Sequence, residues 1–247
     1  MVNEVDLAPR AIGTPDVALH RMLKSLEAYP VKTVLDAPCG RGRLTHFLLQ
    51  KGYDVSASDI LPDLLEVGGV ECRQADLNQG LPYADASFDA VLSPSGLHRI
   101  WAMGRAIAEY ARVLKPGGVL LVTVPNFSKM SRRLRFLMTG VNSWAVVRLS
   151  AEQKEPAAHF RQPAVLPQIL HCMDVSGLEL KGVGGCRKSP RQWLSLPLVP
   201  LARFGYLFIS ARKRKQYFLR ETSSFPALFS DFVLIEAQKP AARPGAD

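Results

Sequence analysis

The chain has 247 residues, of which 47% are hydrophobic and 21% charged, and this composition excludes a disordered or fibrous protein. Its four cysteines are widely spaced and include no Cys-x-x-Cys pair, which argues against a structural zinc site and a disulfide framework. The formal net charge is +9, and all of the excess lies in residues 126–220, which carry 17 Lys+Arg against 4 Asp+Glu.

The chain opens with a helical pattern and then alternates short apolar runs with further helical patterns. Thr14 followed by Pro15 is typical of an N-cap with proline at the first helical position, and apolar residues at helical spacing continue to about Tyr29. The pattern then predicts strand, helix, strand and helix at 33–35, 44–50, 54–57 and 61–67. This alternation indicates βαβ units, and therefore a parallel sheet with helices on both faces.

The alternation continues to Pro125 and then loosens. It predicts a strand at 88–92, a helix at 102–114, a turn at 115–118 and a strand at 119–124. The helix is expected to stop at the turn because proline and glycine are unfavourable inside a helix. Beyond Pro125 come a basic stretch at 129–135, a helix at 163–173, a strand near 178–182, an insertion of about 45 residues and a last strand at 231–237.

The hydropathy pattern indicates neither a signal for export nor a membrane-spanning segment. The first 16 residues lack the basic start and apolar run of a signal peptide, so we expect a cytoplasmic protein. The longest apolar stretch, at 193–209, contains Pro197, Pro200 and Arg203 and is too short to cross a bilayer.

The sharpest motif is a strand that ends in an acid, followed by a glycine-containing loop and a helix. Gly40 and Gly42 allow a ligand to approach the backbone, and Asp36 supplies negative charge that suits a cationic ligand. The chain has no Gly-Lys-Ser/Thr tripeptide, which excludes a triphosphate-binding loop. A nicotinamide cofactor stays an alternative, because Gly40, Gly42 and Thr45 approximate its fingerprint and Asp59 lies 17 residues past Gly42.

Four further motifs follow the glycine loop. They are Asp59-Ile60 at the end of the second predicted strand, Asp76-Leu77 after it, and two strand-containing segments at 81–93 and 112–126. Together with the loop, they resemble in type and order the motifs of the class I, Rossmann-like methyltransferases, which use S-adenosylmethionine. The resemblance covers residues 30–126 and extends to the last strand at 231–237.

This resemblance implies a fold and a cofactor site. The implied fold is an α/β, open, seven-stranded, mostly parallel Rossmann-like sheet with helices on both faces and an antiparallel last strand, to which the basic insertion is added. The implied cofactor-binding residues are Asp36, Pro38, Gly40, Gly42, Asp59, Ile60, Asp76, Leu77 and Ser93. In the family, the acid at Asp59 holds the ribose hydroxyls and the pair at Asp76 reads the adenine. Pro38 is a departure, because the family usually has glycine there and proline lacks an amide donor.

We expect residues 1–247 to form a single methyltransferase domain. Residues 30–126 would be its cofactor-binding half, and residues 127–230 its substrate-side half, with a basic and apolar insertion at about 184–230. The last strand, at 231–237, would complete the sheet.

Catalysis of methyl transfer depends mainly on positioning and desolvation, because the reaction is an in-line displacement. A general base would help a hydroxyl acceptor, and histidine is the usual choice. His98 follows the predicted strand at 88–92 and is the candidate catalytic residue, with a purely structural histidine as the alternative. His159 is a second candidate for the acceptor pocket. The histidines show no metal-ligand spacing, so no metal is expected.

The basic excess leaves three interpretations open. Residues 193–215, from Trp193 to Lys215, join an apolar stretch to a polybasic flank, which is typical of a segment that lies on an anionic membrane surface. A nucleic-acid groove is the second interpretation, since arginines and aromatic residues are interspersed there. The third is a small cap over the active site with a solvated basic rim.

The sequence therefore predicts S-adenosylmethionine-dependent methyl transfer to a small-molecule or lipid-linked acceptor. The protein is expected to be cytoplasmic, with a peripheral position on the inner membrane face as an extension of that hypothesis. The rivals are a non-catalytic binding or scaffold protein of the same fold, an RNA-directed methyltransferase and an NAD-dependent oxidoreductase.

Overall fold

The structure, a computed structural model, describes residues 14–140, 164–186 and 208–241, together with residues 197, 199, 200 and 204. Within these residues, seven strands form one sheet in the order β3-β2-β1-β4-β5-β7-β6. The strands are β1 (Thr33–Asp36), β2 (Asp54–Asp59), β3 (Cys72–Gln74), β4 (Phe88–Pro94), β5 (Leu114–Pro125), β6 (Glu179–Gly185) and β7 (Phe232–Gln238). Only β7 runs against its neighbours, β5 and β6, so the predicted mostly parallel sheet with an antiparallel last strand is confirmed.

Helices lie between these strands. The longer ones are α1 (Asp16–Leu26), α2 (Arg43–Gln50), α3 (Met103–Val113), α4 (Met130–Thr139) and α5 (Leu166–Val175), and the shorter ones are α6 (Ala211–Gln216), α7 (Leu219–Thr222) and α8 (Phe225–Phe229). Single 3-10 turns occur at Pro62–Leu64 and Leu97–Arg99. None of the helices that the structure describes is long and apolar enough to cross a membrane.

The core lies on both faces of the sheet because successive strand residues point to opposite sides. On one face, Val34 of β1 and Leu92 of β4 belong to the buried cluster that contains the apolar residues of α1 and α2. On the other face, Leu35 and Val91 belong to the cluster that contains those of α3 and α5. The helices therefore cover both faces, as predicted.

The strand order reverses at β1, which has β2 on one side and β4 on the other. The connections that leave β1 and β4 at their carboxyl ends therefore diverge, and the crevice at such a reversal is where open α/β sheets bind ligands. Asp36 and Asp59 end β1 and β2, and Ser93 lies one residue before the end of β4.

The helix predicted at 61–67 is wrong. Only Pro62–Leu64 forms a 3-10 turn, and Leu65 is already extended, with φ −68° and ψ 116°. The reason lies in Gly42, where a Cβ would come within 2.5 Å of Leu65 Cδ1 and 2.7 Å of Val67 Cγ2. Leu65 and Val67 are two positions apart in the chain. Both side chains can reach Gly42 only from an extended backbone, because in a helix they would point to different sides.

Several predicted boundaries also move. Pro15 rather than Thr14 is the N-cap of α1, no side chain caps that helix, and α1 ends at Leu26 before the expected Tyr29. Residues 115–118, predicted as a turn, lie within β5 but do not pair with β4, because Phe88 pairs with Leu114 and the next pair is Ala90 with Val119. The basic stretch at 129–135 lies largely in α4, and α5 begins at Leu166 rather than at 163.

Candidate active site

The loop between β1 and α2 has the geometry that its glycines predict. Gly42 is left-handed, with φ 84°, and precedes the first residue of α2. Its amide donates to the Cys39 carbonyl at 3.0 Å, which closes the loop. Gly40 has φ 55°, and a Cβ there would meet nothing within 4 Å. Gly42 is therefore required by packing, whereas Gly40 leaves open space beside the loop.

Asp36 is fully buried at the end of β1. Its Oδ2 accepts a hydrogen bond from Thr45 Oγ1 at 2.7 Å, and its Oδ1 has no hydrogen-bond partner among the residues that the structure describes. Burial raises the pKa of Asp36 to about 7, the Thr45 hydrogen bonds oppose this rise, and the neighbouring Asp59 carboxylate adds to it. An anionic Asp36 is therefore stabilised by any cation that enters the crevice.

Asp59 joins the glycine loop to the segment after β2. Its Oδ2 accepts from the Gly40 amide at 2.9 Å and its Oδ1 from the Leu61 amide at 3.1 Å. A carboxylate offers about four acceptor positions, so about two remain for a ligand. Ile60, the next residue, leaves 48% of its surface exposed beside this carboxylate.

Asp76 and Leu77 follow β3, and the Ala75 amide ties them to β2 by donating to the Asp59 carbonyl at 2.9 Å. Asp76 Oδ1 accepts from both the amide and the side chain of Asn78, at 2.9 and 2.8 Å. Leu77 is buried in the core. The pair therefore lies next to the end of β2, and the Asp76 carboxylate stabilises its own turn.

A buried tyrosine that the sequence analysis missed connects β4 to the glycine loop. Ser93 Oγ lies 3.1 Å from the Tyr110 hydroxyl, and Tyr110 donates to the Ala37 carbonyl at 2.9 Å. Burial raises the pKa of Tyr110, so the hydroxyl keeps its proton and acts as a donor. Its only sequence signal was a hydroxyl at a core position of α3, where phenylalanine would pack equally well.

Pro38 and Gly96 bring the His98 segment against the same loop. The Ala37-Pro38 peptide is cis, and a Cβ on Gly96 would lie 2.3 Å from Pro38 Cδ. His98 follows in the 3-10 turn and is 7% exposed, with its ring centroid 6.5 Å from that of Phe127. The departure at Pro38 is therefore matched by a glycine at 96, which the sequence analysis did not connect with it.

The segments that follow the carboxyl end of β5 pack against the region before β7. Asn126 is buried and its Nδ2 donates to the carbonyls of Ala227 and Ser230, both at 2.8 Å. Arg133 of α4 donates to the Thr222 carbonyl at 2.6 Å, which fixes α4 beside α7. His159 lies outside the described residues, and so do Trp193 and most of the apolar stretch that follows it.

No group of histidine, cysteine and acidic side chains within the described part of the chain could hold a metal ion. The predicted cofactor residues, in contrast, come together at the ends of β1, β2, β3 and β4.

Known proteins share both the sequence of this region and the fold. Residues 35–122 match the family model described as a methyltransferase domain. The demethylmenaquinone methyltransferase of Renibacterium salmoninarum is 35% identical over 129 residues, which cover 47% of this chain and 54% of that protein. The ubiquinone biosynthesis O-methyltransferase of Xylella fastidiosa is 30% identical over 166 residues, which cover 64% and 65%. The chain thus spans between half and two thirds of the length of these relatives.

A solved structure with a ligand extends the likeness in fold. The 1,6-didemethyltoxoflavin-N1-methyltransferase of Burkholderia thailandensis, determined with its substrate and S-adenosylhomocysteine, has a TM-score of 0.52 and 18% identity, over 90% of this chain and 78% of that one. Residues 35–122 therefore match a methyltransferase domain, and the chain shares the Rossmann-like fold of solved methyltransferases that depend on S-adenosylmethionine.

Proposed function

We propose that this chain transfers the methyl group of S-adenosylmethionine to a ring hydroxyl of a quinone-type aromatic acceptor. Two curated relatives support the acceptor class, since their names place them in menaquinone and ubiquinone synthesis and one is named an O-methyltransferase. The observation that carries the proposal is the buried Asp36 carboxylate, whose Oδ1 has no hydrogen-bond partner among the described residues.

The cofactor fits the residues that surround Asp36. S-adenosylmethionine, when bound, supplies a methyl group on a positively charged sulfur. Asp36 offers the negative charge for its cationic methionine part, and Gly40 leaves the space that a Cβ would fill. Gly42 and Pro38 shape the loop. A buried carboxylate of raised pKa suits a cationic ligand better than the phosphates of a nicotinamide dinucleotide.

The adenosine part would lie along the ends of the next strands. Asp59 would accept hydrogen bonds from the ribose hydroxyls at its remaining acceptor positions, and Ile60 would cover the adenine with its exposed side chain. Asp76 and Leu77 would meet the adenine edge, for which the Asp76 side chain must share or release its bonds to Asn78. Ser93 would close the pocket from β4.

His98 is the proposed general base. Its segment packs on Pro38, so its ring lies on the β4 side of the cofactor loop, and the neighbouring Phe127 ring provides an aromatic wall for the acceptor. His98 would accept the proton of the acceptor hydroxyl as that oxygen receives the methyl group.

The acceptor side also carries a surface that suits a lipid-linked acceptor. We name residues 126–140 and 208–220 the basic face; together they contain nine Lys and Arg and no Asp or Glu. Large apolar side chains are exposed within it, including Phe136, Leu137, Met138 and Phe208. Cations beside exposed apolar groups are what an anionic membrane surface attracts, so we propose that the basic face meets the cytoplasmic side of such a membrane.

Titration calorimetry tests the cofactor half of the proposal. S-adenosylmethionine and S-adenosylhomocysteine are expected to bind with dissociation constants of about 1 micromolar, a binding free energy of about −8 kcal/mol. NAD is expected not to bind. If NAD alone bound, the chain would instead be assigned as an NAD-dependent oxidoreductase. Binding of the first two without methylation of any hydroxylated aromatic would favour the non-catalytic protein.

Turnover tests the acceptor half. With a hydroquinone that carries a ring hydroxyl and a short prenyl chain, His98→Gln is expected to lower kcat by about 10²- to 10⁴-fold and to leave S-adenosylhomocysteine affinity unchanged. His20→Gln is the matched control. His20 is exposed on α1, and its hydrogen bond within the described residues is to the Asp16 carbonyl of the same helix. Equal kcat for the two variants would remove the general base from the mechanism.

A further inference from the structure

Two thiols meet beside the cofactor loop. Cys39 Sγ lies 3.4 Å from Cys72 Sγ, although 33 residues separate them in the chain. Cys39 belongs to the β1–α2 loop and is buried, whereas Cys72 begins β3, at the edge of the sheet, and is partly exposed. Both are free thiols. From this contact we propose that Cys39 and Cys72 form a reversible disulfide that weakens cofactor binding.

The contact is specific to this pair. Cys186 directly follows β6, at the opposite edge of the sheet from β3, and Cys172 lies on α5. Each is a free thiol, and neither has a sulfur contact among the described residues. The fold thus brings together one pair out of four cysteines, and it does so within one residue of Gly40 in the proposed cofactor loop.

The order of events follows from exposure. Cys39 is buried and Cys72 is partly exposed, so Cys72 is the sulfur that a dissolved oxidant reaches. The oxidant is a peroxide. The Cys72 thiolate attacks one peroxide oxygen, the O–O bond breaks, and hydroxide leaves as water, which gives Cys72 sulfenic acid. Cys39 sulfur then attacks Cys72 sulfur and loses its proton, the S–O bond breaks and a second water leaves, so two electrons have passed to the peroxide.

The proposed disulfide is connected to the cofactor site by hydrogen bonds from two backbone amides. The Cys39 amide donates to the Ser58 carbonyl at 3.0 Å, and the Gly40 amide donates to Asp59 Oδ2 at 2.9 Å. A disulfide requires about 2.05 Å between its sulfurs, so the two sulfurs must approach by more than about 1 Å. Movement of Cys39 therefore disturbs the bond that orients Asp59. This effect rests on the proposed function, in which Asp59 holds the ribose.

Cofactor binding and disulfide formation are expected to oppose each other to the same extent, because thermodynamic coupling is reciprocal. If the disulfide weakens cofactor binding by a given factor, bound cofactor must disfavour the disulfide by the same factor. Saturating S-adenosylhomocysteine is therefore expected to shift the thiol–disulfide equilibrium of this pair, measured in a glutathione redox buffer, towards the thiols.

The experiment uses the full chain, reduced and then treated with hydrogen peroxide. Intact mass spectrometry is expected to show the loss of two hydrogens, and peptide mapping a Cys39–Cys72 link. S-adenosylhomocysteine affinity is expected to fall at least tenfold and to recover with dithiothreitol. Cys72→Ser should abolish both changes, with Cys72→Ala as the second variant if serine impairs folding. Cys172→Ser is the matched control and should retain both.

Each alternative result has one meaning. Absence of the Cys39–Cys72 link while Cys72 becomes irreversibly oxidised overturns the proposed disulfide. A mapped link without a change in affinity overturns its effect on the cofactor. If the reduced chain binds no S-adenosylhomocysteine, the proposed function fails, and the mapped link still decides whether the disulfide forms.

Discussion

The two halves of the molecule solve different problems. In the cofactor half, the polar groups at the strand ends hold one another in place, as in the Asp59–Gly40, Asp36–Thr45 and Tyr110–Ala37 hydrogen bonds. The basic face carries nine cations and no acid in its own segments, and most of these cations are exposed, beside exposed Phe136 and Leu137. In the proposed function, the first half binds S-adenosylmethionine, a single small molecule. The second half meets the acceptor in the same proposal, and acceptors vary, so it is interpretable only from its surface chemistry.

The largest effect is expected at Asp36. Its pKa is raised to about 7 by burial, above about 3.9 in an unfolded chain, so the folded state holds a proton that the unfolded state has already lost. Its contribution to stability is fully present below about pH 4 and is lost as the pH rises through 7. Between pH 5 and 8, the free energy of unfolding of wild type should therefore fall, relative to Asp36→Asn, by roughly 2 to 3 kcal/mol.

Urea unfolding of both proteins at several pH values, without cofactor, measures this difference. Asp54→Asn is the matched control, because Asp54 begins β2 in an exposed position. A pH-independent difference between wild type and Asp36→Asn would mean that Asp36 ionises normally, and the electrostatic argument for a cationic ligand would then lose its basis.

Asp59 should give the next largest effect. Asp59→Ala removes the acceptor of the Gly40 and Leu61 amides together with the proposed ribose contact, so S-adenosylhomocysteine affinity should fall about 10- to 150-fold, on a scale of about 1.5 to 3 kcal/mol for hydrogen bonds to charged groups. Calorimetry of Asp59→Ala against Asp54→Ala makes the comparison. Unchanged affinity in a folded Asp59→Ala protein would remove the ribose assignment.

The sequence predicted β1 and β4 because their apolar runs are buried on both faces, as in Val34-Leu35 and Ala90-Val91-Leu92. It predicted no strand at β3, where Cys72–Gln74 is three residues long and partly exposed. It missed what depends on contacts between distant residues. The stretch at 61–67 has a helical pattern, yet Gly42 packs against Leu65 and Val67 and requires an extended backbone. Tyr110 and the Cys39–Cys72 pair likewise acquire their roles only when β1, β3 and α3 are brought together, and no local spacing encodes that.

The two loop glycines separate stability from binding. Gly42→Ala should lower the free energy of unfolding by about 1 to 3 kcal/mol, because a Cβ at φ 84° would overlap Leu65 and Val67. Gly40→Ala has nothing within 4 Å to meet, so its cost should be near the 1 kcal/mol of left-handed strain while its Cβ enters the crevice. Thermal unfolding and calorimetry should therefore rank the two variants in opposite orders. The same order in both would show that the space beside Gly40 is not the cofactor's.

The smallest effect should come from the basic face, and it isolates the two halves from each other. Lys213 and Lys215 are exposed on α6, so Lys213→Glu with Lys215→Glu should change stability by no more than about 0.5 kcal/mol and leave S-adenosylhomocysteine affinity within about twofold. The same double variant should lose most of its co-sedimentation with phosphatidylglycerol vesicles at low salt, which wild type should lose only as salt is raised. Phosphatidylcholine vesicles are the control. Wild-type binding to RNA but not to either vesicle would assign the basic face to a nucleic-acid partner. A change in cofactor affinity in the double variant would mean that the basic face and the cofactor half are coupled.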